Sequence, residues 1–135
     1  MEYLFSHWDK LKDRLADKFA FLFLDYDGTL TPIVETPDKA IISKERRSLL
    51  KKLSTSPHSR VAIISGRSLS DIKATVGLKD IIYAGNHGLE IEGPKIKFES
   101  QLSPRLKAVI RHIAEDLARR LSAIKGIVIE DKGLT

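Results

Sequence analysis

Residues 21–30 read FLFLDYDGTL, and this stretch decides our interpretation of the fold. Four apolar residues, Phe21 to Leu24, run directly into Asp25 and Asp27. A nearly continuous apolar run is typical of a strand that is buried on both faces of a parallel sheet. Two carboxylates beside a core repel each other and are costly to bury, so we interpret the pair as a site of chemistry.

The rest of the chain alternates between short apolar strands and amphipathic helices. Apolar residues at helical spacing, serines that cap helices and glycines that end them set the predicted bounds. Such an alternation is typical of a doubly wound parallel α/β sheet. In order, we predict a helix at 2–17, a strand at 19–24, a helix at 43–54, a strand at 61–64, a helix at 68–76, a strand at 81–84, a hairpin at 89–98, a long helix from 104 that ends at Gly126, and a strand beginning at 127–130.

Composition indicates one globular domain of ordinary size. The chain has 135 residues, 42% of them hydrophobic, with a net charge of +5. The basic residues form no stripe interleaved with aromatics, so we predict no nucleic-acid partner. No apolar run approaches the ~20 residues of a membrane span, and the N-terminus does not resemble a signal peptide, so we predict no membrane partner. The absence of cysteine excludes disulfides and thiolate metal sites and suits a cytoplasmic location.

Asp25 and Asp27 are two positions apart in an extended segment, so their side chains share one face. Ligands of open α/β sheets bind at the carboxyl ends of the strands. A phosphoryl group placed between the two carboxylates can be attacked by one of them, while the other protonates the leaving oxygen and later takes a proton from water. Carboxylates facing a phosphate also require a cation, and oxygen ligands favour Mg²⁺.

Residues that follow the first two strands are candidates for binding the phosphate group. Gly28 lets the backbone approach the phosphate oxygens, and Thr29 adds a hydroxyl donor. After the second strand, Ser65 can donate to a phosphate oxygen, Gly66 exposes its backbone N–H, and Arg67 offers a planar fork of donors.

The third predicted strand runs into GNHG at 85–88. The Asn86 amide, the His87 imidazole and the nearby carboxylates of Glu90 and Glu92 are groups that bind sugar hydroxyls. An ordinary loop histidine with satisfied hydrogen bonds is an equally good interpretation of His87 from chemistry alone.

Four stretches, in this order, resemble one known family. They are DYDGTLTPIV at 25–34, SGRSLSDI at 65–72, YAGNHGLEIEG at 83–93 and IEDKGLT at 129–135. The first two resemble signatures of the haloacid dehalogenase superfamily of phosphotransferases. The residue-by-residue sequence of all four stretches resembles the trehalose-6-phosphate phosphatase family. The resemblance runs from about residue 20 to the last residue.

This resemblance implies an α/β fold, with a haloacid dehalogenase-like Rossmannoid parallel sheet in an incomplete core at 1–99 and the start of an α/β cap at 100–135. It implies that Asp25 is the nucleophile that becomes an aspartyl phosphate and that Asp27 is the general acid and base. Mg²⁺ would be held by the Asp25 carboxylate and the Asp27 backbone carbonyl. The small-molecule partner would be trehalose 6-phosphate.

The other site residues are implied by the same resemblance. Ser65 would bind phosphate, and Arg67 would belong to the same pocket. Closure of the cap would exclude water and read the disaccharide. The residues that would face the sugar are Asn86, His87, Gly88, Glu130 and Lys132.

The family pattern extends beyond the sequence in hand. It includes a later lysine that steadies the nucleophile and a later acidic pair that completes the metal site, both after the cap. We therefore expect this chain to be a fragment of a phosphatase that is weakly active or inactive alone. The sequence predicts no oligomeric state.

Three alternatives stay open at this stage. The chain could belong to a phosphatase of another sugar phosphate, such as sucrose phosphate or glucosylglycerol phosphate. It could be a non-catalytic module that binds a sugar phosphate without releasing phosphate. Nucleic-acid binding, suggested by the positive net charge, is the weakest of the three because no basic stripe is present.

Overall fold

A computed structural model describes residues 4–130 and 132 of the chain. These residues contain five strands, four α-helices and three single turns of 3₁₀-helix. The strands are β1 (Ala20–Asp25), β2 (Ser59–Ile64), β3 (Ile82–Gly85), β4 (Glu90–Gly93) and β5 (Ile96–Glu99). The helices are α1 (Trp8–Leu15), α2 (Lys44–Thr55), α3 (Leu69–Val76) and α4 (Pro104–Leu121), and the 3₁₀ turns are Leu4–His7, Pro37–Lys39 and Asn86–Gly88.

The strands form one sheet in the order β1-β2-β3-β4-β5. Strands β1, β2 and β3 are parallel, whereas β4 and β5 add an antiparallel hairpin beside β3. The predicted α/β class, the parallel strands and the hairpin are therefore confirmed. Because β1 and β2 pair Asp25 with Ile64, and β2 and β3 pair Ile64 with Ala84, the three parallel strands end at one edge of the sheet.

Serine caps begin three of the helices, as the sequence predicts. The hydroxyls of Ser43, Ser68 and Ser103 each accept a hydrogen bond from the backbone N–H three residues later. Each bond satisfies one of the N–H groups that a helix start leaves without a partner. At the other end of α3, Gly77 adopts the left-handed conformation (φ +68°) that glycine tolerates best.

The hydrophobic core lies between one face of the sheet and helices α2 and α3. Tyr26, which separates the two aspartates in sequence, is fully buried there. Its hydroxyl donates to the Ala40 carbonyl oxygen at 2.8 Å, which ties the long 31–42 loop to the strand end. The buried residues of the core are Tyr26, Ala40, Ile42, Leu50, Val61, Ile63, Ile72, Val76, Ile81 and Tyr83.

The prediction that the first strand is buried on both faces was wrong. Leu22 and Leu24 pack against the core, but the alternating side chains of Phe21 and Phe23 are 44% and 64% exposed. The reason is that α2 and α3 cover only one face of the sheet, and β1 is its edge strand. Within the described part of the chain, the opposite face is left open.

The two ends of the chain also differ from the predicted elements. The N-terminal helix is shorter than 2–17, because a 3₁₀ turn precedes α1. Residues 127–130 follow α4 without forming a strand. Part of the IEDKGLT stretch, namely residues 131 and 133–135, lies outside the described residues, as do residues 1–3. Among the helices that the structure describes, none is long and apolar enough to cross a membrane.

Candidate functional site

The side chains predicted to act on phosphate meet at the carboxyl edge of the parallel strands. Asp25 ends β1, and Asp27 follows it, with the fully buried Tyr26 between them. Burial of Tyr26 fixes the backbone at this point and leaves both aspartates exposed at the surface. The sequence prediction that both carboxylates stand at the strand end is confirmed.

Thr29 is held against the candidate nucleophile. Its hydroxyl donates to Asp25 Oδ2 at 3.2 Å, across the turn that Gly28 makes with φ +87°. A side chain at Gly28 would be strained at this φ, so the turn needs glycine. The hydroxyl therefore orients the Asp25 carboxylate, and the prediction that Thr29 binds phosphate stays untested.

Arg67 binds Asp27 through both prongs of its guanidinium group. Nε donates to Asp27 Oδ2 at 2.9 Å, and Nη2 donates to Oδ1 at 2.8 Å. A paired contact of this kind fixes the plane of the carboxylate as well as its position. The side chain of Arg67 is only 9% exposed, whereas that of Asp27 is 47% exposed. Asp27 is thus anchored from the protein side and open on the solvent side.

Two further hydrogen bonds engage the Arg67 guanidinium. Nη1 donates to Asp71 Oδ2 at 2.9 Å, and Nη2 also donates to the Pro37 carbonyl oxygen at 2.7 Å. Its guanidinium lies 5.3 Å from the centre of the Tyr26 ring. The hydrogen bonds to Asp27 raise the pKa of the Arg67 guanidinium above its usual value. Because the fork is engaged with carboxylates, we assign Arg67 a positioning role and leave its predicted contact with phosphate untested.

The loop at 65–67 joins the ends of β2 and β3. Ser65 is buried, its backbone N–H donates to the Ala84 carbonyl at 2.9 Å, and its hydroxyl accepts from the Arg67 N–H at 3.1 Å. Gly66 lies against the imidazole of His87, since a Cβ on Gly66 would be only 2.6 Å from His87 Cε1. The loop is therefore tightly packed and held in one conformation.

The turn after β3 is strained. Asn86 and His87 have φ values of +48° and +57°, which non-glycine residues rarely adopt. Asn86 is fully buried, and its backbone N–H donates to the Arg67 carbonyl at 2.7 Å. His87 is exposed, and Gly88 continues the turn with φ +89°. Of the three residues predicted to face the sugar here, the structure leaves the His87 side chain accessible and covers that of Asn86.

Lys132 reaches this edge of the sheet from the far end of the described chain. Its ammonium group donates to the Gly66 carbonyl oxygen at 2.7 Å and lies 3.5 Å from Glu130. An open polar cavity of about 460 Å³ lies beside it. Hydroxyl, ammonium and carboxylate groups together suit a ligand with many hydroxyls. The cavity is lined by Ser68, Leu69, Ser70, Lys73, Glu90, Glu92 and Lys132.

The donors at the strand end fit a magnesium ion that keeps several waters. The described residues contain no cluster of three or more His, Cys, Asp or Glu side chains able to enclose a metal. Mg²⁺ is commonly held by one or two carboxylates together with water and substrate phosphate, so a full protein cage is not required. The exposed Asp25 carboxylate can serve as such a ligand, and because the Asp27 carboxylate is engaged by Arg67, its backbone carbonyl is the other candidate.

Two groups of this site were not predicted from the sequence. The first is the carboxylate of Asp71, which binds Arg67. The signal was present, because Arg67 and Asp71 are four residues apart across a helix start. The Pro37 carbonyl had no such signal, since it reaches Arg67 from a loop 30 residues away in sequence.

The fold is that of haloacid dehalogenase-like hydrolases. A haloacid dehalogenase-like hydrolase from B. subtilis superimposes with a TM-score of 0.52 at 20% identity, over 74% of this chain and 33% of that one. The trehalose-6-phosphate phosphatase C-terminal domain of C. albicans superimposes with a TM-score of 0.65 at 28% identity, over 83% of this chain and 40% of that one.

Sequence comparison leads to the same group of proteins. Trehalose-phosphate phosphatase B of Arabidopsis thaliana is 44% identical over 87 residues, which are 64% of this chain and 23% of that protein. Probable trehalose-phosphate phosphatase E of the same plant is 34% identical over 133 residues, covering 92% of this chain and 37% of that protein. The chain thus spans less than two fifths of the length of these relatives. The family model of trehalose-phosphatase matches residues 23–135, and the chain belongs to this family.

Proposed function

We propose that this chain carries the nucleophile and the general acid of a phosphatase that hydrolyses trehalose 6-phosphate to trehalose and phosphate. The observation that carries the proposal is the pair of carboxylates at one strand end, each held by its own partner. Asp25 is oriented by Thr29, and Asp27 is fixed by Arg67. Membership of the trehalose-phosphatase family supports the choice of substrate.

The reaction proceeds in two displacements. In the first, a carboxylate oxygen of Asp25 attacks phosphorus, the bond between phosphorus and the sugar oxygen breaks, and an aspartyl phosphate forms. The leaving sugar oxygen takes the proton of Asp27. In the second, Asp27 takes a proton from water, the resulting hydroxide attacks phosphorus, and the bond to Asp25 breaks to release phosphate.

Arg67 keeps the general acid in position through both steps. Its two bonds hold the carboxylate of Asp27 in one plane, and Asp71 and the Pro37 carbonyl hold the guanidinium in turn. Proton transfer needs a donor within hydrogen-bond reach of the leaving oxygen. Because the carboxyl group of Asp27 is already fixed, the barrier to proton transfer includes no cost of reorienting it.

The Asp25 carboxylate and the Asp27 backbone carbonyl would hold Mg²⁺. When bound, the ion neutralises the repulsion between the Asp25 carboxylate and the phosphate group. The oxygen donors at the strand end support this assignment. Ser65 and Gly66 remain our candidates for contacting the phosphate, alongside Gly28 and Thr29.

Trehalose would occupy the polar cavity beside Lys132. Ammonium, carboxylate and hydroxyl groups line this cavity, and Glu130 and Lys132 come from the segment that we assign to the cap. We retain the division into a core at 1–99 and the start of a cap at 100–135 as part of the proposal. A cytoplasmic location belongs to it as well, since the chain contains no cysteine.

The test is phosphate release from trehalose 6-phosphate, counted per protein molecule over hours so that weak activity suffices. Parallel samples contain sucrose 6-phosphate or glucose 6-phosphate, with Mg²⁺ or with a chelator. Asp25→Asn is the test variant, and Asp80→Asn, which changes an exposed aspartate in the loop before β3, is the matched control. We expect Mg²⁺-dependent release that is fastest from trehalose 6-phosphate, unchanged in Asp80→Asn and lost in Asp25→Asn.

Two results would overturn the proposal. Faster release from sucrose 6-phosphate would assign the chain to a phosphatase of another sugar phosphate. Binding of trehalose 6-phosphate with no release of phosphate, by this chain and also by a longer chain that carries the later lysine and acidic pair, would identify a sugar-phosphate-binding module instead.

A further inference from the structure

Asn86 combines three unfavourable features at one position. It is fully buried, it adopts φ +48°, and its Oδ1 atom accepts no hydrogen bond within the described residues. A left-handed conformation is unfavourable for a residue with a side chain, although least so for asparagine, and an unsatisfied buried acceptor adds a further cost. Strain of this kind is retained where the surrounding structure gains something from the residue.

Asn86 forms hydrogen bonds to three separate segments. Its backbone N–H donates to the Arg67 carbonyl in the loop at 65–67, which we call the phosphate loop because we propose that it contacts phosphate. Its side-chain amide donates to Glu90 Oε2 at the start of β4 and, at 3.2 Å, to the Lys132 carbonyl oxygen. Glu90 Oε2 also accepts the Leu69 N–H at 3.4 Å, at the start of α3.

The orientation of the Asn86 amide is determined by these neighbours. A carboxylate oxygen and a carbonyl oxygen are both acceptors, so only the NH₂ group can face them. Glu90 and the Lys132 carbonyl together use the two protons of this group. Aspartate has the same shape but no donor, which makes asparagine chemically specific here.

Lys132 is attached to the core through both its backbone carbonyl and its side-chain ammonium group. Its carbonyl oxygen accepts from Asn86, and its ammonium group donates to the Gly66 carbonyl in the phosphate loop. An ammonium group has three donors, so this contact and the neighbouring Glu130 leave capacity for a ligand. The ammonium is thus directed toward the strand ends by the two backbone contacts.

We propose that Asn86 is a positioning residue that fixes the segment carrying Lys132 against the phosphate loop, and that it acts through its amide rather than by contacting the sugar. Sugar recognition by Lys132 and phosphate binding at 65–67 are thereby coupled through one buried side chain. This functional consequence rests on the proposed phosphatase activity, whereas the attachment of Lys132 does not.

A purely structural role for Asn86 makes a different prediction. If the amide serves only to close the 86–90 turn through Glu90, any pair of side chains that restores this bond should restore every property. If it also holds Lys132, a repaired turn should leave Lys132 released. The pair Asn86→Asp with Glu90→Gln separates the two roles. The introduced glutamine can donate to the introduced aspartate from the position of Oε2, which leaves the Leu69 N–H without this acceptor, and the Lys132 carbonyl still lacks a donor.

The experiment measures the rate at which an amine-reactive acetylating reagent modifies Lys132 in the folded 135-residue chain, by peptide mass spectrometry. Exposed Lys125 is the internal reference. The proteins are wild type, Asn86→Asp, Glu90→Gln and the double variant, and urea unfolding reports the stability of each. The readout requires no turnover, so it stands whether or not the chain proves to be a phosphatase.

We expect Lys132 to react several-fold more slowly than Lys125 in the wild type and in Glu90→Gln, whose amide oxygen can still accept from Asn86. In Asn86→Asp, stability falls and Lys132 reacts about as fast as Lys125. In the double variant, stability recovers only in part, because the Leu69 N–H has lost its acceptor, but Lys132 stays fast. Slow labelling of Lys132 in the folded double variant would show that Asn86 serves only to close the 86–90 turn, and would overturn the proposal. Equal rates for Lys132 and Lys125 in the wild type would overturn it without any variant.

Discussion

Arg67 holds Asp27 by two hydrogen bonds, 2.9 and 2.8 Å long, although 40 residues of sequence separate them. This contact joins the end of β1 to the loop after β2 and sets the plane of the carboxylate that we assign as the general acid. The same guanidinium binds Asp71 and the Pro37 carbonyl, so one side chain organises three segments.

Replacing Arg67 by methionine should destabilise the protein. Removing one partner of a buried ion pair costs about 3–5 kcal/mol, and because Asp27 and Asp71 are each nearly half exposed, we expect about 2 kcal/mol. The free energy of unfolding in urea measures the loss. Arg105→Met, on the exposed side of α4, is the control and should change it by less than about 0.5 kcal/mol. Equal effects of the two variants would show that the contacts of Arg67 contribute nothing to stability.

Replacing Gly66 by alanine should destabilise the protein because the His87 imidazole packs against this glycine. The new Cβ would lie 2.6 Å from His87 Cε1, so the imidazole must move, at a cost of about 1–2 kcal/mol. In a His87→Ala background the obstacle is gone, and Gly66→Ala should then be nearly neutral. A double-mutant cycle on unfolding free energies measures this coupling. Additive effects would contradict the close packing of His87 on the phosphate loop.

Replacing Gly85 by alanine should be more damaging still. Here the Cβ would lie 2.5 Å from the backbone nitrogen of Leu69, and a helix start cannot move aside as a side chain can. We expect a loss of more than about 3 kcal/mol in unfolding free energy. Gly88→Ala is the comparison, since it has open space but φ +89°, and it should cost only about 1–2 kcal/mol. A milder effect at Gly85 than at Gly88 would contradict the close approach of α3 to β3.

The ion pair between Lys73 and Glu92 should make stability depend on acidity. The hydrogen bond from Lys73 lowers the pKa of Glu92 below its ordinary value of 4.5. A lowered pKa contributes stability that is present above the unfolded pKa and is lost as the pH falls through the folded pKa. The stability gap between wild type and Glu92→Gln should therefore shrink as the pH is lowered from about 6 to about 3.

Urea unfolding at several pH values checks this prediction. Glu115→Gln, an exposed glutamate on α4, corrects for the loss of one negative charge. A gap that stays constant across the range would mean that Glu92 gains nothing from Lys73 in the folded protein.

Local signals in the sequence predicted most of the fold. The capping serines, the apolar runs and the terminating glycines act over a few residues, and α2, α3, the three parallel strands and the hairpin all form where these signals lie. The strand predicted at 127–130 does not form, because a strand also needs a distant partner that local signals do not reveal. Its Ile-Val-Ile run has strand propensity but pairs with no described strand, and propensity alone does not hold a strand.

The candidate site was predicted in its parts but not in its connections. The two aspartates were visible because their spacing is local. The partner of Asp27 was not, because an arginine fork suits a phosphate as well as a carboxylate, and only the folded distance decides between them. Asn86 gave the same ambiguity, since an amide that binds a sugar and an amide that binds a backbone look alike in sequence.

The central claim is that Asp25 is the nucleophile and that Asp27 is the general acid and base. Trapping the phosphorylated protein tests this claim most directly. p-Nitrophenyl phosphate is a suitable donor because its leaving group departs without protonation, so Asp27 is needed only for the second displacement. The protein is incubated with this ester and Mg²⁺, quenched in acid, and the peptide containing residues 21–30 is analysed by mass spectrometry. We predict a phosphoryl group on Asp25 that accumulates in Asp27→Asn and is absent from Asp25→Asn. Phosphorylation of Asp27 in place of Asp25, or a phosphoryl group that remains on this peptide in Asp25→Asn, would contradict the account.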